Sequence, residues 1–152
     1  MPNQSATTAS KSSGASGAAT PTLLMSHGIV VPATFSFDCY GVRFDAVVVR
    51  DEKAAARLLV RGDLGTMPYS AESRTARRYL RAVVDAGRDL PHATITLSKT
   101  QTITVRGAME FPRHPSPALV AAGTSAIVLA SKPVLDLIAA CRAMAWETAE
   151  TA

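Results

Sequence analysis

Four arginines within one short segment are the first candidates for chemistry. Arg74, Arg78 and Arg81 recur at i, i+4 and i+7, with Arg77 alongside, so on a helix they share one face. A row of that kind can track phosphates, which makes nucleic-acid or anion binding one reading of the chain. The competing reading is a solvated helix face, paired in part with Glu72 and Asp85. No aromatic is interleaved with the arginines, and Tyr79 sits toward the apolar side. Gly62-Asp63-Leu64-Gly65 has the Gly-x-x-Gly spacing of a KH loop, but it follows a strand and carries an acid where that loop is usually basic. It also lacks the following Lys-Ser/Thr of a phosphate-binding loop.

Bond-making chemistry finds less support. His27, His92 and His114 show no metal-ligand spacing with each other or with Cys39 or Cys141. Both cysteines fall at packed positions of apolar patterns, where a thiol behaves as a small hydrophobe. Buried thiols in a reducing compartment are therefore expected, without cofactor, metal or catalytic group, and the chain reads as a non-enzyme.

The bulk properties agree with a cytoplasmic binding domain. A chain of 152 residues is long enough for one domain with its own core. The balance of 16 basic against 12 acidic side chains gives +4, which permits acidic partners without requiring them. No apolar run reaches the ~18 residues that span a bilayer; the uncharged apolar stretch from Pro115 to Ser131 is shorter and contains Gly123, Thr124 and Ser125. Met1 to Thr20 is Ser, Thr, Ala and Gly with Lys11 as its single charge, too polar to offset the entropy of ordering itself. The expected division is a disordered tail over 1–22, one domain over 23–148 and a frayed end over 149–152. The tail also lacks the basic region and apolar block of a secretory signal.

The elements that must position any site are legible from periodicity. Phe35, Phe37 and Cys39 alternate with Ser36 and Asp38; Val42, Phe44, Ala46 and Val48 alternate with Arg43, Asp45, Val47 and Val49. A two-residue turn at Tyr40-Gly41 puts Cys39 against Val42, Phe37 against Phe44 and Phe35 against Ala46, all on one side. It also sets Ser36 against Asp45 and Asp38 against Arg43 on the other. Val47 and Val49 break the pattern, because the alternation places them on the polar side. Either a neighbouring segment covers them or they form a patch for a partner. Arg57 to Arg61 reads as a third strand, Gly62 to Pro68 as a turn, and the segment after Ser70 as a helix with Ser70 as its cap and Glu72 in its first turn. Ala76, Tyr79, Leu80, Val83 and Val84 give that helix its apolar stripe, and Gly87 its stop. Ala93 to Leu97 and Ile103 to Phe111 read as two further strands. Ser116-Pro117 is a helix start, Thr124 to Ala130 fits helix or buried strand, and a last helix opens at Pro133, with Gly123 and Pro133 as breaks. The fold class is α+β: three strands, a helix, two strands, in a mostly antiparallel sheet covered on one face by helices, with a helical C-terminus.

That succession, with the Leu64-Gly65-x-x-Pro68 turn, Phe111-Pro112 and the C-terminal helix, is similar to the class I chaperones of type III secretion, the Tir-chaperone family, from about Phe35 to Met144. The resemblance implies a small homodimer without catalysis that holds an extended segment of a client protein. An exposed strand edge with apolar patches suits that task. Candidate client contacts are Val47 and Val49 on the sheet, with Leu23, Leu24 and Met25 beside it. Candidate dimer contacts are Tyr79, Leu80 and Val83 of the central helix, whose other reading is ordinary core.

Overall fold

The computed structural model describes residues 28–52, 55–69, 71 and 73–150, with side chains as far as Met144. Leu23, Leu24 and Met25 lie outside the described residues, as do Ser70, Glu72 and the Ser- and Thr-rich N-terminal stretch. The elements follow the order β1 (Ala33–Cys39), β2 (Val42–Arg50), β3 (Ala56–Thr66), α1 (Arg74–Ala86), β4 (Ala93–Leu97), β5 (Thr102–Phe111) and α2 (Pro117–Glu150). The strands form one antiparallel sheet in the order β1-β2-β3-β5-β4.

The first hairpin has the expected register. Cys39 pairs with Val42, Phe37 with Phe44, Phe35 with Ala46, Ser36 with Asp45 and Asp38 with Arg43. The turn is tight because Tyr40 and Gly41 both take positive φ, 52° and 70°, the mirror-image geometry that matches strand twist. Ser36 Oγ donates to Asp45 Oδ1 at 2.8 Å, while Arg43 and Asp38 form an exposed ion pair at 3.7 Å.

Three sequence expectations are corrected. The third strand does not stop at Arg61; it continues through Gly62, Asp63 and Leu64 to Thr66. Gly62 serves packing there, since a Cβ on it would sit 2.8 Å from the Phe44 ring and 2.9 Å from Val105. The bend comes later, at Gly65 (φ 82°), whose amide donates to Asp63 Oδ1 at 2.7 Å. Helix α1 begins at Arg74 rather than after Ser70, and Ser73 is its cap, accepting from the Ala76 amide at 3.2 Å. At the C-terminus, α2 runs 34 residues without interruption, so Thr124 to Ala130 is helix and neither Gly123 nor Pro133 ends it. Ser116 caps it as expected, accepting from the Leu119 amide at 3.2 Å.

Both helices pack on one face of the sheet. That face contributes Phe44, Val48, Leu58, Val60, Ile95, Ile103 and Val105 to a core closed by Leu80 and Val84 of α1 and by Val120, Ile127, Val134 and Ile138 of α2. The opposite face carries Asp45, Arg57, Arg61, Arg106 and Glu110, with Val47, Leu59 and Ala108 aligned across β2, β3 and β5. Helix α2 lies over the middle of the sheet, with contacts to β3, β4 and β5, and packs beside α1.

Candidate functional site

Because α2 sits over the middle strands, the edge strand β1 is left beside a trough. Its walls are Phe35, Phe37, Asp38, Cys39 and Tyr40 on the strand side and Ala121, Thr124, Ser125, Val128 and Leu129 on the helix side, around a volume of about 470 Å³. Apolar residues alternate on β1, so its three apolar side chains point to the helix face together. They form a ladder from edge to core: Phe35 stacks on Phe37 with ring centroids 6.1 Å apart, and Phe37 on Phe44 at 5.2 Å. Phe44 is fully buried, whereas Phe35 is 38 % and Tyr40 47 % exposed. Aromatic surface thus stands open beside a strand whose outer edge has no neighbour among the described residues. An unpaired edge offers amide and carbonyl groups for a further strand.

On the helix side the same trough is kept shallow by small residues. Thr124 turns its hydroxyl inward to the Val120 carbonyl at 2.8 Å, so it shows its methyl rather than a donor. Leu129, 59 % exposed, forms the outer lip. The trough is mostly apolar and can accept apolar side chains, with Asp38, paired to Arg43, as its one charged lining residue.

The sheet-face candidates fall elsewhere. Val47 and Val49 are half-buried on the open face, opposite the helices. Val47 borders a broad hollow of about 720 Å³ shared with Thr34, Ser36, Asp45, Leu59, Arg61 and Arg106. Val49 borders a second, about 430 Å³, with Arg50, Asp51, Glu52, Arg57 and Leu59. Arg61 and Arg106 are direct cross-strand neighbours in the first hollow, an unfavourable like-charge pairing.

The arginine row separates into two kinds. Arg77 is half-buried and engaged: Nη1 donates to the Pro68 carbonyl at 2.7 Å and Nη2 to Gln101 Oε1 at 2.9 Å, tying the end of β3 to the β4–β5 turn. Arg74, Arg78 and Arg81 are exposed, and Arg78 lies over the Tyr79 ring at 5.5 Å. Asp85, expected to neutralise this face, instead pairs with Arg88 at 2.8 Å. Of the dimer candidates, Leu80 is fully buried between α1 and the sheet, so it is core and not an interface residue; Val83 is half-buried and Tyr79 is 45 % exposed.

Cys39 is half-buried on the trough wall, and Cys141 is buried on the core side of α2, where desolvation raises its thiol pKa. Among the described residues no three of His, Cys, Asp and Glu gather as metal ligands. His92 and His114 are both exposed. The β1 trough was the feature that sequence reading missed. Its signal is the apolar side of β1 itself, Phe35, Phe37 and Cys39, which alternation places on one face without saying what covers it. No protein-family model, no curated protein and no solved structure matches this chain.

Proposed function

We propose that this domain is a non-catalytic protein-binding module that takes an extended segment of a client polypeptide as an added strand on β1, in the manner of the type III secretion chaperones its sequence resembles. One observation carries the reading: an edge strand with no outer neighbour among the described residues and an apolar trough share the same residues, Phe35 and Phe37. Strand addition supplies main-chain hydrogen bonds, while alternate side chains of the added segment enter the trough. The intervening side chains would lie over the open face beside Thr34 and Ser36. Thr34 pairs with Val47, so Val47 is one strand away from the client, and Val49 lies farther along β2.

The test is direct selection of short unstructured peptides from a display library against the full chain, followed by calorimetric titration of those selected. Phe35→Asp, which places a charge at the trough mouth, and Ser125→Trp, which fills it, should each weaken binding at least about tenfold. Arg78→Ala with Arg81→Ala should leave it unchanged, as should raising salt from about 50 to 200 mM. Polyanionic ligands whose affinity collapses with salt and with the arginine pair would replace this reading with phosphate binding on α1.

A further inference from the structure

The chain enters the domain at one end of the β1 trough. Gly28 sits against His114, its Cβ position 3.1 Å from the histidine Cβ, and the Ile29 amide donates to the Pro115 carbonyl at 2.9 Å. Pro115 lies two residues before α2 begins at Pro117. Ala121, the nearest trough residue on that helix, stands about 6 Å farther along its axis. Ile29 and Val31 pack on the core, and the chain then turns into β1 at Ala33. Three extended residues span about 10 Å, so the residues just before Gly28 start within reach of the trough. We infer that the chain supplies this trough with an occupant of its own: without a client, Pro21 to Ser26 lies along β1 as an added antiparallel strand, with Leu23 and Met25 in the trough. The inference rests on the β1 reading proposed above and adds a regulation of that site.

Connectivity sets the direction. A segment that precedes β1 and joins it through Gly28–Pro32 returns as the other arm of a hairpin, hence antiparallel. The β1–β2 turn sets which main-chain groups are on offer. A two-residue turn at Tyr40-Gly41 closes on a hydrogen-bonded pair, Cys39 with Val42. By alternation Phe37 and Phe35 also bond to β2, so Thr34, Ser36 and Asp38 turn their N–H and C=O groups to the outer edge.

Two features of the sequence then choose the same register. Leu23 and Met25 share one parity, and placing them opposite Phe37 and Phe35 puts both into the trough. The other parity would bury Leu24 alone. Pro21, which has no N–H, supplies the independent argument. In the chosen register it stands opposite Cys39, where its nitrogen faces away from β1 and no donor is needed. Thr22, Leu24 and Ser26 then bond to Asp38, Ser36 and Thr34. A shift by one residue would set Pro21 opposite Asp38 and leave an edge acceptor without its donor. In the chosen register the new outer edge also carries the proline, which blunts it against further pairing.

A client must displace this segment, so its apparent affinity falls by the fraction of chains in which the trough is open. With about one chain in ten open, the loss is about tenfold. The experiment compares the natural full chain with Leu23→Ser plus Met25→Ser, and with Leu24→Ser as control. Amide exchange at Thr34, Ser36 and Asp38 needs no client, and should be about tenfold slower in the natural chain than in the double variant. A peptide spanning Pro21 to Ser26, added in excess, should restore protection to the double variant. Library-selected peptides should bind the double variant about tenfold more tightly than the natural chain, and at about a hundred times their Kd should protect the edge beyond what the segment itself achieves. The Leu24→Ser chain should match the natural one.

Equal exchange and equal peptide affinity in natural and double-variant chains would overturn the inference, while the client reading stands if Phe35→Asp still weakens those peptides. A control that behaves like the double variant would overturn the register. Protection lost on dilution would overturn the inference by assigning the segment to the trough of a second copy. Exchange that follows the expectation, with selected peptides indifferent to Phe35→Asp and Ser125→Trp, would sustain the self-capped edge and remove the client reading alone.

Discussion

Gly107 of β5 lies so close to Ile127 of α2 that a Cβ on the glycine would stand 2.3 Å from the isoleucine Cγ2 and 3.1 Å from the His92 carbonyl oxygen. Helix and sheet meet there without room for a methyl group. The same occurs at Gly123, where a Cβ would reach within 2.4 Å of the Phe111 ring. Gly107→Ala should therefore destabilise the fold by about 1–3 kcal/mol through overpacking. Ile127→Ala should remove part of that penalty. Urea unfolding of both single variants and the double variant measures the coupling, which should be well above the error of additivity for distant sites.

Arg77 should behave as a structural residue and not as part of a phosphate track. Its two bonds hold Pro68 and Gln101 across the base of the domain. Arg77→Ala is expected to lose about 1.5–3 kcal/mol, the range for hydrogen bonds to a charged group. Arg77→Lys should recover little, because one ammonium lacks the planar fork that reaches both acceptors. Arg81→Ala, at an exposed position of the same helix, should change stability by less than about 0.5 kcal/mol. Thermal midpoints of the three variants decide the matter.

Pro133 interrupts the hydrogen-bond ladder of α2 at an exposed position, yet the helix continues through it. Its tolerance follows from packing. Ile127, Val128, Val134 and Leu135 hold both sides of the break against the sheet and α1. Replacing it with alanine restores one backbone bond without disturbing that contact. Pro133→Ala should raise stability, by up to about 3 kcal/mol. Chemical denaturation of the two chains gives the comparison.

Much of this arrangement could be read from periodicity because its elements are amphipathic over several residues. The β1–β2 register followed from side-chain parity plus one turn, Tyr40-Gly41, and every pair fell where expected. The misreadings share a cause. Gly62, Gly123 and Pro133 were treated as punctuation, but each sits where packing overrides local preference: Gly62 under Phe44, Gly123 under Phe111, and Pro133 on the solvent side of a helix pinned by its neighbours. The helix cap was displaced from Ser70 to Ser73 because several hydroxyls compete near that terminus and only geometry chooses among them. The trough was invisible for a different reason. Alternation says which side of β1 faces the helices, but not how far α2 reaches across the sheet.

The buried Cys141 thiol sets a pH dependence. Burial holds the Cys141 pKa above its ordinary value, so the folded state favours the protonated form. Its contribution to stability is complete below the ordinary thiol pKa of about 8.5 and declines as pH rises through the raised folded value. The Asp136 carboxylate, through its hydrogen bond, raises the Lys132 pKa as well, which acts in the same direction above about 10.4. Urea midpoints should therefore fall on the alkaline side, and Cys141→Ala should flatten the first part of that decline. Alkylation at neutral pH should label half-buried Cys39 well before Cys141.

The most direct measurement is amide hydrogen exchange across β1, with and without a peptide selected on the natural chain. Strand addition requires that β1 amides not bonded to β2 gain protection when the peptide is bound, while those of β4 and α1 keep their rates. Protection that appears instead around Arg74, Arg78 and Arg81, or on the open face at Val47 and Leu59 with β1 unchanged, would contradict the account.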